Sequence, residues 1–333
     1  MTYAQSLEIL SKIKSVDKIL VNCHQRPDVD SISSALSMCQ ALEMLTKKVR
    51  LICPDIPLSE LSFLSCFEKI EAVDFKNFQD DCQLFLVLDS ASPEVVTGSK
   101  EIHLPKIETI VIDHHLTNTN FGSLNLIDEK RSSTAELLYF LFLDWNIDIN
   151  KNLASSLLTG ILGDTGAFEY HNTTPITLRV AAELMERGAD KDEILLKIFR
   201  SKPMSLLKFW AEVLKNLKLD ETGKFTWCAI PYDIYNSLGK PQMARESASS
   251  LFTRMVDGTE FGIVILEEEP GVVRASFRSR RTDFDVSNVA LRLGGGGHAG
   301  AAGVTIVNNR FEESVKKVIE TARDFALSRE DEV

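Results

Sequence analysis

Apolar residues follow two different rhythms along this chain. In the first half they form short runs at 18–23, 49–53, 84–88 and 108–112, the last two reading Leu-Phe-Leu-Val-Leu and Glu-Thr-Ile-Val-Ile. Runs of this length, rich in branched side chains, predict strands buried on both faces. Between them the spacing becomes helical, over 4–16 (Leu7, Leu10, Ile13) and 32–46 (Ile32, Ala35, Leu36, Cys39, Leu42, Leu45), the second expected to be capped by Ser31. Strands alternating with helices predict an α/β fold with a doubly wound, mostly parallel sheet. Beyond residue 133 helices dominate: one over 134–145 behind a capping sequence at 132–136, one over 152–162, and one from Pro175 to near Gly188. Helical spacing continues over 190–217 with a break at Pro203. Strands return at 225–230, 261–267, 272–279 and 301–307, and an amphipathic helix over 311–327 closes a smaller α+β domain. The expected organisation is a first domain over 1–189, a helical connector over 190–220 and a second domain over 221–333.

The ends of these elements carry the chemistry. The first strand runs into His24, Asp28 and Asp30, the third into Asp89, and the fourth into Asp113-His114-His115. The helix over 152–162 leads into Asp164. In an open parallel sheet the carboxyl ends of the strands line one crevice, where ligands bind. Five acids and three imidazoles in one cleft would repel one another unless cations lay between them. The set contains no thiolate, so it suits Mn²⁺ or Mg²⁺ better than structural zinc. Two such ions form the standard clamp for in-line attack at phosphorus.

Composition narrows the partners. A net charge of -11 argues against wrapping long duplex nucleic acid, which needs a basic stripe, but allows a small anionic ligand held by metals and a local basic pocket. Such a pocket is expected in the second domain. Consecutive glycines at Gly294, Gly295, Gly296 and Gly297 let backbone N–H groups approach an anion closely, and His298 can add a hydrogen bond. Arg278, ending its strand, offers a guanidinium fork for a second phosphate or a carboxylate. The six cysteines form no C-x-x-C pair and read as buried, reduced thiols. The N-terminal residues lack a signal-peptide pattern, and no apolar run approaches the ~18 residues of a membrane span, so a cytoplasmic protein without membrane contact is expected.

Taken in order, His24-x-Arg26-Pro27-Asp28-x-Asp30-Ser31, Leu86-Val87-Leu88-Asp89, Asp113-His114-His115 and Gly163-Asp164-Thr165-Gly166 resemble the four motifs of the DHH phosphoesterases. Phe277-Arg278-Ser279 and Gly294–His298, followed by Ala301-Ala302-Gly303, look like the associated DHHA1 substrate domain. Motif wording is closest to the nanoRNase type. The resemblance implies one ion on His24, Asp28 and Asp89 and a second on Asp30, Asp89, His114 and Asp164, with manganese the usual metal and Mg²⁺ or Co²⁺ as substitutes. It implies that His115 contacts the scissile phosphate and that Asp113 orients the imidazoles. Ser132, Ser133 and Thr134 fall where the family carries a segment near its site, and Ser279 belongs to the substrate motif. Leu116 and Ala299-Gly300 depart from residues found in relatives, which bears on the choice of substrate. The expected activity is removal of 5′-mononucleotides from very short oligonucleotides, with pAp as a further phosphorylated substrate. A cyclic or linear dinucleotide phosphodiesterase is the rival, a non-catalytic nucleotide-binding module a remoter one, and a homodimer is one assembly left open.

Overall fold

The computed structural model describes residues 2–79, 81–281, 283–307 and 310–328. The chain divides into two compact units, Met1–Ser201 and Lys202–Val333.

The first unit runs α1 (Ser6–Ser15), β1 (Lys18–Asn22), α2 (Val29–Met44), β2 (Lys48–Cys53), β3 (Ile70–Ala72), β4 (Leu84–Leu88), α3 (Pro93–Thr97), β5 (Glu108–Asp113), β6 (Leu124–Ile127), α4 (Thr134–Asp144), α5 (Lys151–Asp164), α6 (Pro175–Glu186) and α7 (Lys191–Leu195). Its six strands are all parallel, in the order β3-β2-β1-β4-β5-β6. The order reverses direction between β1 and β4, so the crevice of a doubly wound sheet opens beyond the ends of those two strands. β4 is buried along its whole length, as its uninterrupted apolar run requires. One apolar cluster packs β1, β4 and β5 against α1, α2, α4 and α5, and a second lies on the opposite face around Leu20, Phe85, Val87 and Val111.

Helix α2 begins three residues earlier than expected, and its cap is Asp28, not Ser31. Asp28 is extended (φ -92°, ψ -170°) and accepts a hydrogen bond from Ser31 N–H, while the Ser31 hydroxyl accepts one from His24 N–H. Either residue can cap a helix; what decides is that the backbone of Asp28 is itself extended and turns helical directly after it. Where α2 crosses α5 the backbones meet at glycines. A Cβ on Gly160 would stand 2.6 Å from both Ala135 Cβ and Asp30 Oδ1, and one on Gly163 would stand 2.5 Å from the Val29 side chain.

The second unit comprises α8 (Met204–Lys215), β7 (Lys218–Leu219), β8 (Phe225–Ile230), α9 (Tyr232–Ser237), α10 (Ala244–Leu251), β9 (Phe261–Glu269), β10 (Val272–Ser279), α11 (Ser287–Arg292), β11 (Gly296–His298), β12 (Ala301–Val307) and α12 (Phe311–Ser328). Its mixed sheet runs β11-β12-β10-β9-β8-β7. Phe225, Phe261 and Phe284 stack within the core on one face of this sheet. The second half of the glycine run is an edge strand rather than a loop: Gly296, Gly297 and His298 pair with Gly303, Ala302 and Ala301. No side chain fits in the middle of it, since a Cβ on Gly297 would lie 2.4 Å from Ala302 Cα.

Candidate active site

Asp89 follows β4 directly, in a left-handed conformation (φ 50°) that costs a non-glycine residue about 1 kcal/mol. Its carboxylate is 1% exposed and faces three imidazoles. Oδ2 lies 3.6 Å from His24 Nε2, and Oδ1 lies 3.7 Å from His114 Nε2 and 3.8 Å from His115 Nδ1. On one side His24 Nε2 is also 3.8 Å from Asp28 Oδ1; on the other His114 Nε2 is 3.6 Å from Asp164 Oδ2. Asp89 therefore belongs to two donor groups, His24/Asp28/Asp89 and Asp89/His114/His115, each with its atoms within 4.8 Å of one another.

Asp30 is placed differently from its neighbours. Its Oδ2 accepts from Thr134 N–H at 2.7 Å, and its Oδ1 accepts from Ala135 N–H at 3.1 Å and from the Ser34 hydroxyl at 3.2 Å. The carboxylate thus sits on the N-terminus of α4, where unpaired N–H groups favour negative charge.

Asp113 is fully buried and accepts from His114 N–H (2.8 Å), His115 Nδ1 (2.7 Å) and Asn118 Nδ2 (2.6 Å). With those bonds made, it positions the two histidines. The Asp113 hydrogen bond raises the His115 imidazole above its ordinary value, against the effect of burial. His114 Nδ1 lies 3.2 Å from the Arg131 carbonyl, which leaves Nε2 for the Asp89–Asp164 side.

The 132–134 segment supports this arrangement. Thr134 Oγ1 donates to Asp89 Oδ1 at 2.9 Å. Ser133 caps α4, accepting from Glu136 N–H, and the Ser132 hydroxyl donates to Glu136 Oε2. All three are fully buried. The buried Glu136 carboxylate also accepts from Arg131 Nη1 at 2.9 Å and from the Thr177 hydroxyl at 2.7 Å. Asn172 Nδ2 links the Ser132 and Asp164 carbonyls at 2.9 and 3.1 Å. Glu136 had a signal in the sequence, as the last residue of the capping sequence at 132–136. Asn118 and Asn172 had none, because their partners are set only by the fold.

In the second unit, Arg278 is half-buried at the end of β10, donating from Nε to the Ser250 hydroxyl (3.2 Å) and from Nη1 to the Phe277 carbonyl (3.0 Å). The Ser279 hydroxyl is buried and donates to the Arg281 carbonyl. Gly294 and Gly295 border a cavity of about 380 Å³ shared with Arg245, Arg274 and Thr305, while Gly296, Gly297 and His298 are exposed. Arg274 was legible: it lies four residues before Arg278 on one strand, hence on the same face.

Comparison with known proteins agrees with this geometry. The profile of the DHH family N-terminal domain matches residues 18–161, and that of the DHHA1 domain matches 239–327. A bifunctional oligoribonuclease and PAP phosphatase, NrnA, of Thermus thermophilus is 31% identical over 97% of this chain and 95% of its own. The chain belongs to the DHH family. Another DHH relative, the cyclic-di-AMP phosphodiesterase GdpP of Geobacillus thermodenitrificans, is 25% identical over 94% of this chain and 48% of its own length. The fold is shared with an exopolyphosphatase-related protein of Bacteroides fragilis, at a TM-score of 0.87 and 23% identity over 98% of both chains.

The donors of this DHH site fit divalent cations. Burial pushes the Asp89 carboxyl well above the ordinary range, and the charges of Asp30, Asp28, Asp113 and Asp164 push it further. Burial and a neighbouring carboxylate raise Asp30 and Asp164 to about 7. Carboxylates assembled at this mutual cost, with imidazole nitrogens aimed among them, call for positive charge, and an oxygen and nitrogen donor set selects harder ions.

Proposed function

We propose that the chain is a manganese-dependent phosphohydrolase that shortens very short oligoribonucleotides to 5′-mononucleotides and removes the 3′-phosphate of pAp. The observation that carries this reading is Asp89, one carboxylate facing two donor groups from opposite sides. That arrangement supports a pair of ions, with His24, Asp28 and Asp89 around one and Asp30, Asp89, His114 and Asp164 around the other. The names of the NrnA relatives support the substrate class. Cations held there would polarise the phosphoryl oxygens and lower the pKa of attacking water.

The chain's own residues do the rest. His115, the most exposed imidazole of the cluster at 44%, keeps its proton on Nδ1 through Asp113. Its raised pKa favours the form that also carries a proton on Nε2, which suits donation to a phosphoryl oxygen as charge develops. Thr134 holds Asp89, and the Arg131 carbonyl holds His114, so both groups are oriented before substrate arrives. Arg278 and the glycine-rich edge ending in His298 are assigned to binding substrate phosphates or bases, with Arg278 already oriented by Ser250.

The test is turnover with Mn²⁺ on RNA of two to five nucleotides, pAp, cyclic and linear di-AMP, a longer single strand and pyrophosphate. Fastest release of mononucleotide from the short RNAs is expected. Activity confined to the di-AMP substrates would replace this reading with that of a signalling phosphodiesterase, which the likeness to GdpP favours.

A further inference from the structure

A second cluster of metal-ligating side chains lies at the other end of α2. Cys39 and Glu43 stand one helical turn apart on the same face of that helix. Cys66 approaches them from the segment between the 3₁₀ turns Ser59–Leu61 and Phe67–Lys69, in a left-handed conformation (φ 70°) unusual for a side-chain-bearing residue. Cys39 Sγ is 3.9 Å from Glu43 Oε1, Cys66 Sγ is 3.9 Å from Glu43 Oε2, and the three ligand atoms lie within 4.8 Å of one another. Bonds of about 2.3 Å from zinc to sulfur and about 2.1 Å to oxygen, at tetrahedral angles, give ligand–ligand edges of roughly 3.6–3.8 Å. Each thiol thus stands a few tenths of an ångström beyond such an edge from one oxygen of Glu43, and the three donors together lie within about 1.2 Å of coordination geometry.

We infer that Cys39, Cys66 and Glu43 form a binding site for one thiophilic divalent cation of the zinc class, separate from the Asp89 cluster. Cys39 follows Asp30 by nine residues, about 13 Å along the helix. The donors differ in kind: two sulfurs and one carboxylate here, oxygen and imidazole nitrogen there. Soft donors select zinc-like ions over manganese and magnesium. Three protein ligands leave a fourth position for water. The site is reachable: the Glu43 and Lys69 side chains are each 42% exposed, whereas both thiols are buried.

Lys69 explains how the cluster rests without metal. Its ammonium pairs with the Glu43 carboxylate, so one positive charge already stands beside the donors. The hydrogen bond from Cys39, with help from Lys69, holds the Cys66 thiol below its ordinary value against the effect of burial. Binding displaces Lys69 from Glu43 and releases the thiol protons to solvent. A bound ion would fasten the C-terminal half of α2 to the 59–69 segment.

The test is a Co²⁺ titration of the reduced full chain, read by the near-ultraviolet thiolate-to-cobalt charge-transfer band, which oxygen and imidazole ligands do not produce. The band is expected to saturate at one thiolate-bound cobalt per chain, excess Zn²⁺ to abolish it, and Asp89→Ala to leave it unchanged. Cys66→Ser should remove it and weaken Zn²⁺ binding, measured by chelator competition, at least about tenfold. Glu43→Gln, at a partly exposed position, should weaken binding without disturbing the fold and so guards against a misfolded cysteine variant. Absence of the band, or its survival in Cys66→Ser, would overturn the site. A Cys39–Cys66 disulfide formed with hydrogen peroxide, in a protein whose reduced form shows no band, would overturn it in favour of a redox pair.

Discussion

Thr134 holds two carboxylates at once: its hydroxyl donates to Asp89 Oδ1 at 2.9 Å and its N–H to Asp30 Oδ2 at 2.7 Å. Asp89 ends a strand and Asp30 begins a helix, and the first residue of a third element fixes both. Thr134→Val keeps the shape and removes only the hydroxyl. Mn²⁺ affinity should fall on the order of tenfold, with kcat reduced more than KM for a short RNA, and Thr134→Ser should restore both. Calorimetric Mn²⁺ titration and steady-state kinetics check this; unchanged affinity in the valine variant would remove Thr134 from the positioning role.

Glu136 holds the same segment from behind. It is fully buried and paired with Arg131, itself 5% exposed. Glu136→Ala would take from a buried guanidinium one of its two carboxylate partners, at a cost of up to about 3–5 kcal/mol. Urea denaturation should show the loss, and Glu136→Gln, which keeps the acceptor, should recover part of it. A loss below about 1 kcal/mol would mean that Asp128 alone satisfies Arg131.

Metal removal should destabilise the first unit, because the acids around Asp89 then face one another without compensation. Chelation is expected to lower the thermal midpoint of the wild type. In Asp89→Asn, which removes the central charge, the chelator-induced drop should be smaller although turnover is abolished. Parallel thermal scans with and without chelator distinguish the two.

A pH dependence is expected in the second unit. Burial alone would raise the Asp220 carboxyl, but Arg323 at 2.8 Å, with hydrogen bonds from Thr222, outweighs it and holds the group below its ordinary value. A depressed folded-state pKa contributes stability above the unfolded value of about 3.9, and that stability is lost as the pH falls through the folded value. Wild type and Arg323→Met should therefore differ in denaturant midpoint at neutral pH and converge in acid.

The sequence disclosed the elements that are buried throughout and the residues that end them. β1, β4 and β5 are apolar runs enclosed on both faces, and an aspartate or histidine directly after such a run stands out. β3 and β6 were not foreseen, being three- and four-residue edge strands, mostly half-exposed, with neither an apolar run nor a clean alternation. The cap of α2 was misplaced because Asp28 and Ser31 are both good caps by type, and only the backbone conformation chooses between them. Arg131, Asn118 and Asn172 act through partners that no spacing rule connects to them.

Gly160 carries a last consequence. Because the space where its side chain would begin is taken by Asp30 Oδ1 and Ala135, the seat of that carboxylate is set by how closely two helix backbones can approach. One methyl group on α5 would shift a carboxylate it does not replace, leaving every donor of the cluster present but out of register. Gly160→Ala should weaken Mn²⁺ binding while the far-ultraviolet circular dichroism stays intact. Tuning of this enzyme need not touch its motifs at all: the missing side chain behind the site is as much a part of it as the acids in front.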